Sequence, residues 1–237
     1  MASVVEGLKK IDESLEEEEA KFGNKGPKIE YFGLKDGQSA KFLFLQEMDF
    51  DSENYSVKNG VGLKAVEHVH PDRFSVHALC SSDEEDCYGC EQHQKDFKAG
   101  WAPKQRLYIN VGVDTDNGIV TKVMSQSLST KAVIGPAILE QARELGAITD
   151  RWFKVKRTGV GQYDTTYTFT PLKEHGLNPE DYEVYNIKSD VLKAPAYADQ
   201  AEFYNKWRNY VKDAEQSGLG EFDKKTTSNP SKDNEEW

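Results

Sequence analysis

Cys80, Cys87 and Cys90 are the only cysteines in a chain of 237 residues, and they fall within one eleven-residue window. Cys87-Tyr-Gly-Cys90 has the C-x-x-C spacing that lets two thiolates grip one tetrahedral ion from a tight turn. Three thiolates leave one corner to fill, and His68, His70 and His77 lie just upstream. A Cys3His zinc site is the sharp reading. The plainer alternatives are a disulfide with a spare thiol, or three buried thiols. An odd cysteine count and an N-terminus without a signal-peptide pattern weigh against the disulfide.

Strand alternation bears on the fourth ligand. His77 and Cys80 are an odd number of residues apart, so on a straight strand they face opposite ways. His68 and His70 precede the Pro71-Asp72 turn and can fold back onto the cysteines, with His68 the leading candidate. Four protein ligands make a closed, structural site, whereas catalytic zinc keeps an open position. The zinc-deaminase pattern is absent, because residue 70 is His rather than Glu and Asp86 precedes Cys87. There is no G-x-x-x-x-G-K-[ST], no G-x-S-x-G and no H-E-x-x-H, and Gly159-Val-Gly161 sits between strands rather than opening a helix. The expectation is a protein without catalytic activity.

Basic residues interleaved with aromatics form the second constellation. Arg106, Tyr108 and Asn110 alternate against Leu107, Ile109 and Val111. Trp152, Lys154 and Lys156 share one strand face, and Arg157 reaches the next turn. Tyr163, Thr165 and Tyr167 share a face of the partner strand. Rings that stack on bases and cations that track phosphates suit single-stranded nucleic acid. An ordinary amphipathic sheet is the plainer alternative. The expected contacts are Arg106, Tyr108, Trp152, Lys154, Lys156, Arg157, Tyr163 and Tyr167.

Charge is distributed to match. The net charge is −11. Residues 1–21 hold seven acids and three bases, a net of −4, and residues 213–237 repeat those numbers. Residues 97–171 hold ten bases and six acids, a net of +4. Acidic ends around a basic middle are more informative than the total. The terminal Asp233, Glu235, Glu236 and Trp237 read as a partner-binding arm that also competes with DNA phosphates, against the plainer alternative of a solubilising tail.

The elements that position these residues are mostly strands. Ile29–Phe32, Ser39–Gln46, Val61–His70, Arg73–Cys80, Gln105–Val113, Ile119–Gln126, Arg151–Arg157 and Gln162–Thr170 read as extended. Helices are expected over 3–22, where Val4, Leu8, Ile11 and Leu15 repeat at helical spacing, over 92–100, over 135–144 and over 197–216. In the last, Phe203, Trp207 and Tyr210 face the core. The pattern predicts a mainly β fold with peripheral helices: an OB-fold, a five-stranded Greek-key barrel, with an inserted zinc-binding subdomain. Residues 1–24 form an acidic helix, 25–217 the core with the insertion at about 61–100, and 218–237 a disordered acidic tail. No apolar run approaches the roughly 20 residues of a membrane span, and the reading places the chain in the cytoplasm.

His68, Pro71-Asp-Arg-Phe74 and Cys80-Ser-Ser-Asp-Glu-Glu-Asp-Cys87-Tyr-Gly-Cys90 together resemble the zinc-containing single-stranded-DNA-binding proteins of tailed bacteriophages, related to the T-even helix-destabilising protein. Tyr31–Gly37 and Gly159–Tyr167 are similar in character, so the resemblance covers roughly residues 28–171. That family carries a His about a dozen residues before its first Cys, which favours His68. The resemblance implies an OB-fold barrel with one structural Zn2+. It implies sequence-independent binding of single-stranded DNA in phage replication, recombination and repair, in the infected bacterial cytoplasm. It also implies an acidic tail that recruits replication proteins. T-even-type members bind cooperatively through a basic N-terminal segment. Residues 1–21 are acidic here, so their apolar seam is left to pack on the barrel or on a neighbouring subunit along DNA. The rival is a zinc-stabilised protein-interaction or mediator module of a replication complex.

Overall fold

The computed structural model describes residues 28–160 and 164–216, with 207–216 as helix backbone only. The expected N-terminal helix and the C-terminal tail lie outside the described residues. The chain is mainly β, with seven strands and three α-helices among the described residues. It divides into two units. One comprises residues up to Val66 and Lys104–Lys193, the other Glu67–Pro103 and residues from Ala194 onward.

In the first unit, β1 (Ser39–Phe44) alternates Lys41 and Leu43 against Phe42 and Phe44. It pairs antiparallel with β4 (Lys104–Thr115), placing Phe42 opposite Val113, and with β6 (Arg151–Thr158), placing Phe42 opposite Phe153. β5 (Gly118–Ser127) forms a long antiparallel hairpin with β4, and β7 (Thr166–Glu174) pairs with β6. At the β6–β7 turn Gly159 has φ +103°, and a Cβ there would fall 2.2 Å from the Asp164 carbonyl oxygen, so only glycine fits. Residues around Tyr31 make a short parallel bridge to Val123 rather than a full strand.

Period-two alternation delivers one apolar face per strand, and these faces meet. Phe42, Phe44, Leu107, Ile109, Val111, Met124, Phe153 and Val155 form the core. Phe44 meets Phe153 edge-on at 4.8 Å, and Phe153 stacks on Phe169 at 5.3 Å. Helix α2 (Ile134–Leu145) adds Ile134, Ile138 and Ala142, spaced at i, i+4, i+8 along one face. The buried Glu47 carboxylate holds the segment that precedes β6. It accepts hydrogen bonds from the Ile148 N–H at 3.1 Å and from the Thr149 N–H and hydroxyl at 2.9 and 2.6 Å.

The structure corrects one face of β4. Tyr108 and Asn110, expected toward solvent, are 1% and 0% exposed. β4 is a central strand, and the chain after β7 returns over its second face. Asn110 donates to the Tyr185 carbonyl at 3.0 Å and accepts from the Tyr185 N–H at 3.1 Å. Alternation says which residues share a face; it does not say whether a distant segment will cover that face.

β2 (Leu63–His70) begins in the first unit and carries the chain into the second. There it pairs antiparallel with β3 (Arg73–Leu79), with an irregularity between Val69 and His70. Helix α1 (Tyr88–Lys95) starts on the cysteines themselves, earlier than the expected 92–100, because Cys87 is its N-cap. Helix α3 (Tyr197–Gln216) belongs to this unit, so its packing partner is the cysteine segment. Tyr204 is buried with Ala78 and Trp101, and Phe203 and Tyr88 pack alongside. The side chains of Trp207 and Tyr210 lie outside the described residues.

Candidate metal centre and basic sheet face

Each donor of the metal centre comes from a different local device in the second unit. β2 supplies His68. The chain leaving β3 supplies Cys80. The cap and first turn of α1 supply Cys87 and Cys90 at helical i, i+3 spacing. One donor atom from each of the four lies within 4.8 Å of every other, so the set could hold a metal ion. His68 Nε2 is 3.3 Å from the Cys90 sulfur, and the Cys80 and Cys90 sulfurs are 3.5 Å apart.

The imidazole is oriented for coordination. His68 Nδ1 lies 2.6 Å from the Trp101 carbonyl oxygen. A carbonyl only accepts, so Nδ1 carries the proton and Nε2 presents its lone pair to the sulfurs. Burial lowers the His68 pKa below 6.5; the Trp101 bond partly offsets this, and His93 lowers it further. The ring is therefore neutral at neutral pH, as a metal ligand must be.

The Cys90 sulfur carries a charge problem that a cation solves. Burial opposes a Cys87 thiolate, but hydrogen bonds from the backbone of Cys90 and Ser81 and from the Cys80 and Ser81 side chains together outweigh it, and its pKa falls below that of an ordinary thiol. Burial pushes Cys90 up to about 12, followed by its hydrogen bond with Cys80 and the charges of Cys87 and Cys80. Three soft sulfurs, of which Cys80 and Cys87 oppose the ionisation of Cys90, joined by a neutral imidazole, are a donor set compatible with one zinc ion.

The other histidines are elsewhere. His77 pairs with Val69 and so faces away from His68, and its Nδ1 is 3.2 Å from the Glu67 carboxylate. His70 lies past the strand irregularity. Its Nδ1 accepts the Asp72 N–H at 3.2 Å and its ring meets Trp101 edge-on.

Sequence reasoning missed the residue that admits His68. A Cβ on Gly89 would fall 2.2 Å from His68 Cγ. The glycine inside Cys87-Tyr-Gly-Cys90 was the available signal. It was silent because nothing in the sequence says which side chain crosses the helix there.

In the first unit, the expected nucleic-acid contacts separate into two groups. Trp152, Lys154 and Lys156 point away from the core, opposite Leu43, Lys41 and Ser39 of β1. Lys154 and Lys156 are exposed and form no ion pair among the described residues. Lys41, which the sequence did not single out, joins them. Its Nζ sits 3.7 Å above the Trp152 ring and 2.9 Å from Asp114. Thr168 and Thr170 of β7, opposite Lys156 and Lys154, extend this face.

The remaining residues do other work. Arg157 faces the core side, donates to the Leu34 carbonyl at 2.9 Å and pins that loop to the hairpin. Tyr167, its partner in register, packs with Phe169 against the core. Arg106 donates to the Ser125 hydroxyl at 2.9 Å. Tyr108 is enclosed on the covered face of β4. Tyr163 lies outside the described residues, as do Asp233, Glu235, Glu236 and Trp237.

No helix among the described residues is long and apolar enough to cross a membrane. Compared with known proteins, the chain matches no family model, no curated protein and no solved structure.

Proposed function

We propose that this protein binds single-stranded DNA without sequence preference and without catalysis, through the β1–β6 sheet face. The observation that carries the reading is the strip of Lys41, Lys154 and Lys156 beside the Trp152 indole on one side of the sheet. Cations spaced along a strand track phosphates, and an indole offers a stacking plane that accepts any base. Asp114 tempers Lys41, which leaves Lys154 and Lys156 as the principal electrostatic contacts.

The ladder order supports a barrel of the oligonucleotide-binding type. β1 lies between β4 and β6, β5 extends from β4 and β7 from β6. Helix α2 follows the third strand of that set and packs on both β5 and β7. A five-stranded Greek-key barrel closes between those two strands. The metal is read as one structural zinc: Zn–S bonds of about 2.3 Å imply a tetrahedral S···S edge of about 3.8 Å, close to the Cys80–Cys90 separation. The resemblance to zinc-containing phage single-stranded-DNA-binding proteins fits this reading. It extends it to replication, recombination and repair in an infected bacterial cell, with the acidic terminus as the docking arm for replication proteins.

The test is a titration of labelled oligo-dT and of duplex DNA, followed over time for cleavage. Preferential binding of the single strand without turnover, weakening as salt rises, is expected. Equal, weak binding to both with tight binding to replication proteins would replace this reading with a mediator module. Cleavage would replace it with an enzyme.

A further inference from the structure

The first three turns of α3 bond to the metal-ligand segment, from more than a hundred residues away in sequence. The Gln200 side-chain oxygen accepts the Tyr88 N–H at 2.9 Å, between Cys87 and Cys90, and its amide nitrogen donates to the Ser81 hydroxyl at 3.0 Å, next to Cys80. The Tyr204 hydroxyl donates to the His68 carbonyl at 3.2 Å. The Tyr204 ring stacks on Tyr88 and meets Trp101 edge-on at 4.9 Å, and the Trp101 carbonyl orients the His68 ring. Tyr197 bonds to the segment at both ends: its N–H donates to Glu85 at 3.0 Å and its hydroxyl to Glu91. Gln200 is 2% exposed and Tyr204 1%, so neither bond is incidental to a surface helix.

Each of the four ligands is therefore bonded to α3 or next to a residue that is. We infer that Gln200 and Tyr204 are positioning residues of the metal centre, and that α3 is its outer layer. The inference rests on the reading of His68, Cys80, Cys87 and Cys90 as a metal site. Neither residue touches the ion. Gln200 holds the Ser81 hydroxyl at one side of the cysteine loop and the Tyr88 backbone N–H at the other, and Tyr204 fixes the strand that carries His68. Partners behind first ligands commonly change metal affinity by about 10–100-fold. Linkage makes the effect reciprocal, so whatever α3 docking adds to metal affinity, metal adds to α3 docking.

The experiment uses the full chain, loaded with zinc or stripped by chelator, with bound metal counted per chain. Hydrogen exchange at 197–206 reports α3 docking, and chelator competition reports zinc affinity. Stripping is expected to raise exchange at 197–206. Gln200→Ala is expected to weaken zinc by at least tenfold, with Tyr204→Phe, which keeps the ring, weakening it less. Glu202→Ala, an exposed position of the same helix, is the control and should leave zinc affinity unchanged. One zinc per chain with unchanged exchange at 197–206 and wild-type affinity in both variants would overturn the inference alone. No bound zinc in the wild-type chain would overturn it together with the metal reading.

Discussion

His68 packs onto α1 where residue 89 has no side chain: a Cβ on Gly89 would lie 2.2 Å from His68 Cγ and 2.5 Å from Cδ2. The His68 ring reaches the sulfurs only because the helix offers a bare backbone there. Gly89→Ala is expected to push the ring out while leaving all three cysteines in place. Zinc affinity should fall by about 10–100-fold, the range for disturbed ligand orientation, read by chelator competition. An alanine variant that binds zinc like the wild type would show that His68 is not held against the helix.

The three histidines make separable predictions. Cys87→Ser and His68→Ala should lose metal and increase hydrogen exchange through residues 80–95, since the loop has little core of its own. His77→Ala and His70→Ala should keep one metal per chain. Removing His77 leaves the buried Glu67 carboxylate without that partner and should register as a stability loss instead. Metal loss in His77→Ala together with metal retention in His68→Ala would reverse the ligand assignment.

Much of the fold and the metal centre was legible in the sequence, and the failures share a cause. Strands, hairpins and the metal-ligand spacing are local properties, and period-two alternation identified Trp152, Lys154 and Lys156 as one face. Lys41 shares the face of Leu43, two residues on, but without the β1–β6 register nothing in the sequence brings it to Trp152. Tyr108 and Asn110 alternate as cleanly as Lys154 and Lys156. Both are buried, and the segment that covers Asn110 is the chain around Tyr185, a contact 75 residues away. A tyrosine on a strand looks alike on either face, so the sequence alone offers Tyr167 as a stacking ring, and its register with Arg157 assigns it to the core side. The role of α3 was equally hidden, since helical periodicity marks an apolar face without naming what it meets.

The lysine strip can be separated from the structural arginine. Each phosphate of a single strand that the protein no longer neutralises reduces the salt slope of binding by about 0.7. Lys154→Ala with Lys156→Ala should therefore lower the slope by about 1.4, while the melting temperature stays near wild type. Trp152→Ala should remove roughly 1–3 kcal/mol of base stacking with little change in slope. Arg157→Ala should act differently, lowering stability by removing the tie to Leu34, with little effect on the slope. Anisotropy titrations from low to moderate salt, paired with thermal melts, distinguish these outcomes. An unchanged slope in the double lysine variant would remove this face from the binding mechanism.

The first unit also has a pH sensor of its own stability. His175 Nδ1 accepts the Leu177 N–H at 3.3 Å, so in the neutral ring the proton sits on Nε2, which is buried and without a partner among the described residues. Burial lowers the His175 pKa below 6.5. A hydrogen bond with its own backbone and the charge of Asp150 act in the opposite direction, and nearby Lys41 adds to the lowering. The folded chain therefore binds this proton less readily than the unfolded chain does. Stability from the neutral ring is complete above about pH 6.5 and is lost as pH falls from there through the folded pKa. Melting temperature should drop between pH 7 and 5, and His175→Gln, which cannot titrate, should flatten that part of the curve. His68 shifts in the same direction, so the comparison is the difference between wild type and variant, both loaded with zinc. Parallel curves for the two proteins across that range would mean that His175 titrates alike in the folded and unfolded chain.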